Sequence, residues 1–182
     1  MAKSGLGKDE QILVAAQSLF LRLGLRGTSM EAVARQAGVA KPTLYKYFAD
    51  KQAIYDALLT RLLEELRRIA EAAFAGPGSA TERVAAALAG KHKFLFQFLE
   101  GSPHAEELYM APKRESLQSL EAFDRWLKAE IVSAFAREGQ SDGVSLAPLL
   151  MATADGIARH ATRAGEIGPA IRFTVARLSA RG

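Results

Sequence analysis

Two short runs, Lys41-Pro42-Thr43 and Tyr45-Lys46-Tyr47, carry side chains that suit contact with a nucleic acid. A lysine reaches the acceptors of guanine, a threonine hydroxyl bonds a base or touches a thymine methyl, and a proline adds an apolar contact. Tyrosine and lysine side chains also hold phosphates and sugars. The first run is therefore predicted to touch base edges, and the second is predicted to touch the backbone of the nucleic acid.

These side chains are positioned by the second of two short predicted helices. Apolar residues predict a helix over residues 29–36, Gly38 suits the turn, and Pro42 suits a first helical turn because its missing N–H costs little there. Two short helices joined in this way suit the major groove of DNA, which one helix enters while the other braces against the backbone. Helical pairs with a glycine turn are also common in other proteins, so Tyr45 and Phe48 as ordinary core residues remain an alternative.

Two flanking residues extend the predicted interface. Thr28 is predicted to cap the second helix, with Glu31 completing a capping box, and the N–H groups at a helix start favour a phosphate. Lys51 follows the predicted cap Asp50 in the first turn of the fourth helix, where the helix dipole prefers an anion. A nearby phosphate explains a cation there. The alternative for Lys46 and Lys51 is an ordinary solvated charge.

Charge is concentrated in the same part of the chain. The 182 residues carry 24 Lys and Arg against 20 Asp and Glu, a formal net charge of +4. Residues 1–51 hold eight of those bases and four of the acids, so the rest of the chain is balanced. A polyanionic partner is therefore expected to bind the first quarter of the chain.

Composition excludes several classes of protein. Hydrophobic residues make up 49% and charged residues 24%, as in an ordinary globular chain. There is no apolar run of 18 residues and no signal-peptide pattern, and cysteine is absent, so we expect a cytoplasmic protein without membrane contact, disulfides or thiolate metal sites. His92, His104 and His160 are far apart, and no HExxH, GxSxG, P-loop or GxGxxG motif occurs. Neither an enzyme nor a metal or other cofactor is expected.

The pattern of apolar residues predicts an all-α fold. Steps of three and four residues mark about nine helices, whereas no segment alternates long enough for a strand. Gly24 is expected to stop the first helix, and Ser79 and Glu82 form a second capping box further along. We expect a helix-turn-helix domain over residues 8–51 and a second helical domain over residues 52–182.

The N-terminal residues resemble the DNA-binding domain of the TetR family of bacterial transcription regulators. The resemblance covers about residues 10–55 and departs from the family at Ala40, where a serine is usual, and at Pro42, where glycine or alanine is frequent. Loss of that serine hydroxyl removes a group able to cap the recognition helix or to touch phosphate. The matching residues are Ile12, Ala15, Ala16, Phe20, Gly24, Thr28, Ser29, Val33, Ala34, Ala37, Gly38, Val39, Thr43, Leu44, Tyr45, Phe48 and Lys51.

The resemblance implies a homodimeric repressor that binds a palindromic operator in double-stranded DNA and releases it when a small-molecule effector binds. It also implies an effector pocket in the second domain, and bulky apolar side chains there suit a hydrophobic or aromatic ligand, with ordinary core packing as the alternative. The expected pocket residues are Phe94, Phe98, Tyr109, Met110, Phe123, Trp126, Met151 and Asp155.

The last two predicted helices are expected to form the dimer interface, as the resemblance implies. Packing within one chain is the alternative for each of their residues. The expected interface residues are Leu146, Leu149, Leu150, Thr153, Ile157, His160, Ala161, Ile171, Val175 and Leu178.

Two other functions stay open at this point. One is a DNA-binding regulator without a small-molecule effector, which predicts a filled core and no ligand that releases DNA. The other is a ligand-binding module that has lost DNA binding, which predicts that Lys46→Ala or Tyr45→Ala leaves cellular function intact.

Overall fold

A computed structural model describes residues 7–110 and 114–180 of the chain. This part contains nine α-helices and no strand, which confirms the all-α prediction. The helices are α1 (Lys8–Gly27), α2 (Met30–Ala37), α3 (Lys41–Tyr47), α4 (Lys51–Phe74), α5 (Ala80–Leu99), α6 (Ala105–Met110), α7 (Arg114–Arg137), α8 (Gly143–His160) and α9 (Ala164–Leu178). No helix in the described ranges is both long and apolar enough to cross a membrane.

The chain forms two compact units. The first comprises Met1–Leu62 and Leu99–Ser119, and the second comprises Leu63–Phe98 and Leu120–Gly182. The first unit thus combines α1–α3 with a segment that follows them by about fifty residues in the chain, a pairing that the sequence did not indicate. The domain boundary at residue 51 stays a prediction.

Helix α1 supplies much of the core of the first unit. Its inward face follows the predicted spacing of three and four residues, and removing such side chains from water stabilises the unit by about 1.5–3 kcal/mol each. Gly24 has the positive φ of 74°, so the helix breaks there and one further turn continues to Gly27. The core residues of this unit include Ile12, Ala16, Leu19, Phe20, Val33, Leu44 and Ile54.

The helix-turn-helix has the predicted turn but a different cap. Gly38 adopts the left-handed conformation with φ 72°, which only glycine reaches without strain. The prediction that Thr28 caps α2 is wrong, because Ser29 is the N-cap and its side chain accepts a bond from the Ala32 N–H at 3.1 Å. The capping hydroxyl therefore lies one residue further along the chain than expected.

The second unit is built from amphipathic helices whose apolar faces meet. The predicted capping box begins α5, since the Glu82 carboxylate accepts the Ser79 N–H at 2.8 Å and the Ser79 hydroxyl accepts the Glu82 N–H at 3.3 Å. Side chains with almost no exposure come from four helices of this unit. They are Val84, Leu88, Leu127, Ile131, Phe135, Leu150, Ile167 and Ile171.

Candidate nucleic-acid interface

Helix α3 is attached to its unit by one side chain and exposes most of the others. Leu44 is completely buried, whereas Lys41, Pro42 and Lys46 are exposed and Thr43 is half-buried. Tyr45 and Tyr47 keep 45% and 49% of their surface in water, although a large aromatic ring gains most when it is buried. Six of the eight residues predicted to contact DNA thus share one short, accessible helix.

Lys41 is not isolated on this surface. Its ammonium forms an ion pair with the Glu31 carboxylate of α2 and lies 5.9 Å from the centroid of the Tyr45 ring. The hydrogen bond to Glu31 raises the pKa of Lys41, and the bond to Lys41 lowers the pKa of Glu31. An acidic side chain therefore competes for the lysine that was predicted to reach a base. No side chain caps α3, because its N-cap position is Ala40, as the departure from the family pattern predicted.

Thr28 and Lys51 have partners inside the unit. Thr28 is 2% exposed and its hydroxyl donates to the carbonyl of Gly24 at 2.8 Å, so this arrangement does not present the side chain to a phosphate. The Lys51 ammonium donates to the carbonyls of Leu25, Arg26 and Thr28 at 2.8, 3.2 and 3.2 Å. A cation is favourable beside carbonyls that end a helix, which gives a second reason for a lysine at this position.

The side chains predicted to line an effector pocket form two ring pairs in the second unit. Phe94 and Phe98 of α5 stack with centroids 6.3 Å apart, and Phe123 and Trp126 of α7 lie 5.6 Å apart. Phe123 is buried, whereas Phe94, Phe98, Trp126 and the α8 residues Met151 and Asp155 are half-buried. The side chains of Tyr109 and Met110 lie outside the described residues.

Asp155 belongs to a polar cluster that sequence reasoning did not assemble. Its carboxylate oxygen Oδ1 lies 3.4 Å from the ammonium of Lys91 and 3.1 Å from Nε2 of His92, and both partners are buried. Burial and, to a smaller extent, the Lys91 charge lower the pKa of His92, Asp155 opposes them, and the net result is a pKa of about 4. Partial burial also raises the pKa of Asp124 on α7.

Two members of this polar cluster, Lys91 and His92, could be recognised from the sequence. A lysine and a histidine side by side in the apolar helix α5 signal a buried polar site, but only packing of α5 against α8 identifies Asp155 as their partner. His92 Nε2 has no partner with hydrogen-bond geometry among the described atoms. A ligand group can therefore offer this nitrogen a partner.

The residues that were predicted to form a dimer interface divide into two groups. Leu150, Ile171 and Val175 are buried within their own unit, so packing inside the chain already accounts for them. Exposed or half-buried members of the set lie along α8, in the turn after it, and on α9: Leu146, Leu149, Thr153, Ile157, His160, Ala161 and Leu178. Two further apolar side chains of these helices, Val144 and Phe173, are each 64% exposed.

The described residues contain no group of three or more His, Cys, Asp or Glu side chains that could hold a metal ion. His92 and Asp155 form a pair of such side chains, and their neighbour Lys91 brings a positive charge that opposes a bound cation.

The N-terminal helices match a known family. Residues 12–58 match the model of bacterial regulatory proteins of the tetR family. Over 95 residues the chain is 33% identical to the uncharacterized HTH-type transcriptional regulator YhgD of Bacillus subtilis, a match that covers 52% of this chain and 46% of that protein. It is 39% identical over 64 residues to the HTH-type transcriptional activator FasR of Mycolicibacterium smegmatis, covering 34% and 29% of the two chains.

The match therefore spans less than half the length of these curated relatives. The fold extends further, because a crystal structure of a TetR/AcrR-family transcriptional regulator from Thermobifida fusca superposes with a TM-score of 0.76. That likeness covers 95% of this chain and 98% of the other at 23% identity, so it bears on the fold alone. The helix-turn-helix of this chain, with its glycine turn and its exposed third helix, is therefore the DNA-binding domain type of the TetR family of bacterial transcription regulators.

Proposed function

We propose that this protein is a DNA-binding transcription regulator that reads operator DNA with α3. The observation that carries the proposal is the surface of that helix, where Leu44 alone is fully buried and two tyrosines and two lysines are exposed. Lys41, Pro42 and Thr43 would touch base edges, and Tyr45, Lys46 and Tyr47 would hold phosphates and sugars. The positive charge of residues 1–51 favours approach to a polyanion. We also propose a cytoplasmic location, because a bacterial regulator meets its DNA there.

Thr28 and Lys51 enter this proposal in a different role from the other six residues. Both are bonded to carbonyls around the end of α1, so they help to fix the position of the helix-turn-helix formed by α2 and α3. Lys51 still brings positive charge near the start of α4, and this charge adds to the field that attracts DNA.

A homodimer is the assembly that suits a palindromic operator. A pair of identical α3 helices reads two half-sites when they lie one DNA turn apart, about 34 Å, or a multiple of that distance. The exposed apolar residues Val144 and Leu149 of α8 with Phe173 and Leu178 of α9 supply a surface that a second copy can cover.

A small-molecule effector would bind in the second unit. The ring pairs of α5 and α7 suit an apolar or aromatic body, and Lys91, His92 and Asp155 offer hydrogen bonds to a polar group. The effector has to favour one of two states, because equal affinity for both would shift nothing. Helix α4 is continuous through residues of both units, so a displacement along it would change the spacing of the two recognition helices.

Repression is the mode of regulation that we propose, by occupation of an operator that the effector then frees. This mode is tested with a reporter gene whose expression is controlled by the DNA segment that the protein binds. Deletion of the regulator raises the reporter signal if the protein represses and lowers it if the protein activates.

The binding proposal is tested with the full-length protein and labelled DNA that flanks its own gene, titrated at two salt concentrations. We expect saturable binding with two chains per palindromic site and a steep loss of affinity at the higher salt, because phosphate contacts release counterions. The variant Tyr45→Ala should bind weakly, and the exposed Lys128→Ala on α7 serves as the matched control.

Binding no tighter than to random DNA, in a genome-wide pull-down as well as with the flanking segment, would contradict the proposal. It would favour the ligand-binding module without DNA recognition. If the protein binds an operator but no small molecule releases it, the protein is a DNA-binding regulator without a small-molecule effector.

A further inference from the structure

The break in α1 at Gly24 exposes backbone groups that need partners from elsewhere. Past the break, the Arg26 N–H donates to Oε1 of Glu107 in α6 at 3.0 Å. One turn before it, the Leu21 carbonyl accepts the Ser102 hydroxyl at 2.7 Å. These two bonds give backbone groups on either side of the break partners from outside α1.

Glycine at position 24 permits the close approach of α6. A Cβ placed there would overlap Oε2 of Glu107 and lie 2.9 Å from Nδ1 of His104. Those two side chains also lie 3.3 Å apart through the same Oε2 and Nδ1 atoms. One carboxylate therefore contacts the α1 backbone with one oxygen and the imidazole with the other.

Helix α6 is itself held in place within the first unit. The hydroxyl of Tyr55 in α4 donates to the carbonyl of Leu108 at 2.7 Å, and burial raises the pKa of Tyr55 to about 12, so the donor proton stays on the oxygen. The Ser102 hydroxyl, besides donating to α1, accepts the His104 N–H at 3.2 Å. The carboxylate of Glu107 thus projects from a segment that is tied to both α1 and α4.

The turn that Glu107 holds leads directly into the DNA-reading helices. This turn comprises residues 25–28, which lie between the break in α1 and Ser29, the cap of α2. Lys51 fixes the carbonyls of this turn, and Glu107 fixes an N–H of it. The direction in which α2 and α3 leave the turn depends on both side chains.

We propose that Glu107 is a positioning residue for DNA recognition, acting as a hydrogen-bond acceptor that fixes the turn between α1 and α2. It touches no DNA in this proposal and acts through the Arg26 N–H. Glu107 lies in α6, far along the chain from α1. Through this residue, a later segment of the protein would fix the orientation of the helix-turn-helix. The inference rests on the proposed function, since it concerns the geometry with which α3 meets an operator.

The test compares full-length Glu107→Ala, Glu107→Gln and Glu107→Asp with wild type. The amide oxygen of glutamine still accepts the Arg26 N–H, whereas alanine removes the acceptor and aspartate is one methylene too short to bring it to the same place. Glu100→Ala, an exposed acid at the turn after α5, is the matched control. Two readouts are taken: hydrogen exchange of the peptide that contains Arg26, and affinity for the operator segment recovered from the flanking DNA.

We expect Glu107→Ala to speed exchange at residues 25–28 and to weaken operator binding by about tenfold, a usual size for a lost bond to a charged group. Glu107→Asp should fall in the same direction, and Glu107→Gln and Glu100→Ala should stay near wild type. Unchanged exchange and affinity in Glu107→Ala would overturn the inference. It would also fail if glutamine lost as much as alanine, or if exchange rose equally throughout α1, α2 and α3.

DNA binding by the protein and the positioning role of Glu107 are tested by different outcomes. A wild type that binds no specific DNA would remove the proposed function, while the exchange measurement would still decide whether Glu107 holds the turn. Normal operator binding by a Glu107→Ala protein with fast exchange would keep the regulator and overturn the positioning role.

Discussion

Polar side chains are used differently in the two compact units. In the unit that carries α3, Lys51, Glu107 and Ser102 all bond to backbone groups around the end of α1. In the other unit, Lys91 and His92 both meet the side chain of Asp155. A side chain bonded to backbone fixes the path of the chain, whereas a cluster of titratable side chains can exchange partners with a proton or a ligand. The first arrangement suits a helix-turn-helix of fixed geometry, and the second suits a site that changes when a proton or a ligand binds.

Gly24→Ala should have the largest effect on the first unit, because it disturbs the backbone at the break in α1. Alanine resists the positive φ of 74°, and its Cβ would displace Glu107 from the Arg26 N–H. We expect a loss of about 3 kcal/mol in the free energy of unfolding, from backbone strain and the lost bond together. Denaturant unfolding measures it.

The control for this variant is Gly165→Ala in α9, where an added Cβ meets nothing within 4 Å and φ is not positive. Its stability should be equal to that of wild type or slightly higher. Equal stability of both variants would show that the break in α1 needs no glycine.

Acid should act on the responsive cluster of the second unit. His92 has a pKa of about 4 when folded and about 6.5 when unfolded, so between these values the unfolded chain binds the proton. Stability is therefore lost as the pH falls from about 6.5 to about 4, by about 3 kcal/mol. His92→Gln should flatten this dependence, with Lys91 and Asp155 left as the charged neighbours.

Unfolding curves at several pH values check the slope, and His160→Gln, which changes an exposed histidine, should keep it. A His92→Gln protein with the full wild-type slope would assign the acid sensitivity to other groups. Asp124 would not account for it, because a raised carboxyl pKa favours the folded state as the pH falls.

Lys46→Ala tests the exposed surface of α3, which is proposed to contact DNA. Its exposed ammonium is proposed to hold one phosphate, so its removal should cost about 1 kcal/mol on operator and random DNA alike and reduce the salt slope by about one. Titrations at three salt concentrations measure both quantities. A variant that loses affinity for the operator alone would show that Lys46 reads a base.

Glu31→Gln should have the smallest effect and the opposite sign. The change frees Lys41 from its ion pair and removes a negative charge beside the reading surface. We expect random DNA to bind about threefold tighter, in keeping with the modest energy of exposed pairs. Glu64→Gln in α4 is the control, and weaker binding by Glu31→Gln would assign this carboxylate to a base contact.

Sequence reasoning succeeded where the signal is local. Gly38 turns the chain as predicted, Asp50 caps α4 by accepting the Ala53 N–H at 2.8 Å, and Ser79 and Glu82 form their box. These features depend on residues within three or four positions of each other. The cap of α2 was misplaced by one residue because Thr28 and Ser29 are both good capping residues, and burial of Thr28 decided between them.

The long-range contacts had no comparable signal. Glu107 and Arg26 are 81 positions apart, and Lys91 and Asp155 are 64 apart. Only packing brings such residues together, and neither pair has a spacing that a helix or a motif would impose. Lys51 gave a partial signal, because a cation in a first helical turn is unusual, and its carbonyl partners follow from the break in α1.

Selection of DNA from a random pool by the full-length protein tests the central claim most directly. We expect an inverted repeat whose half-sites lie about one helical turn apart, enriched by wild type and not by Tyr45→Ala, with Lys128→Ala behaving as wild type. A pool that shows no enriched repeat, or the same repeat with Tyr45→Ala at equal affinity, would contradict recognition of DNA by α3.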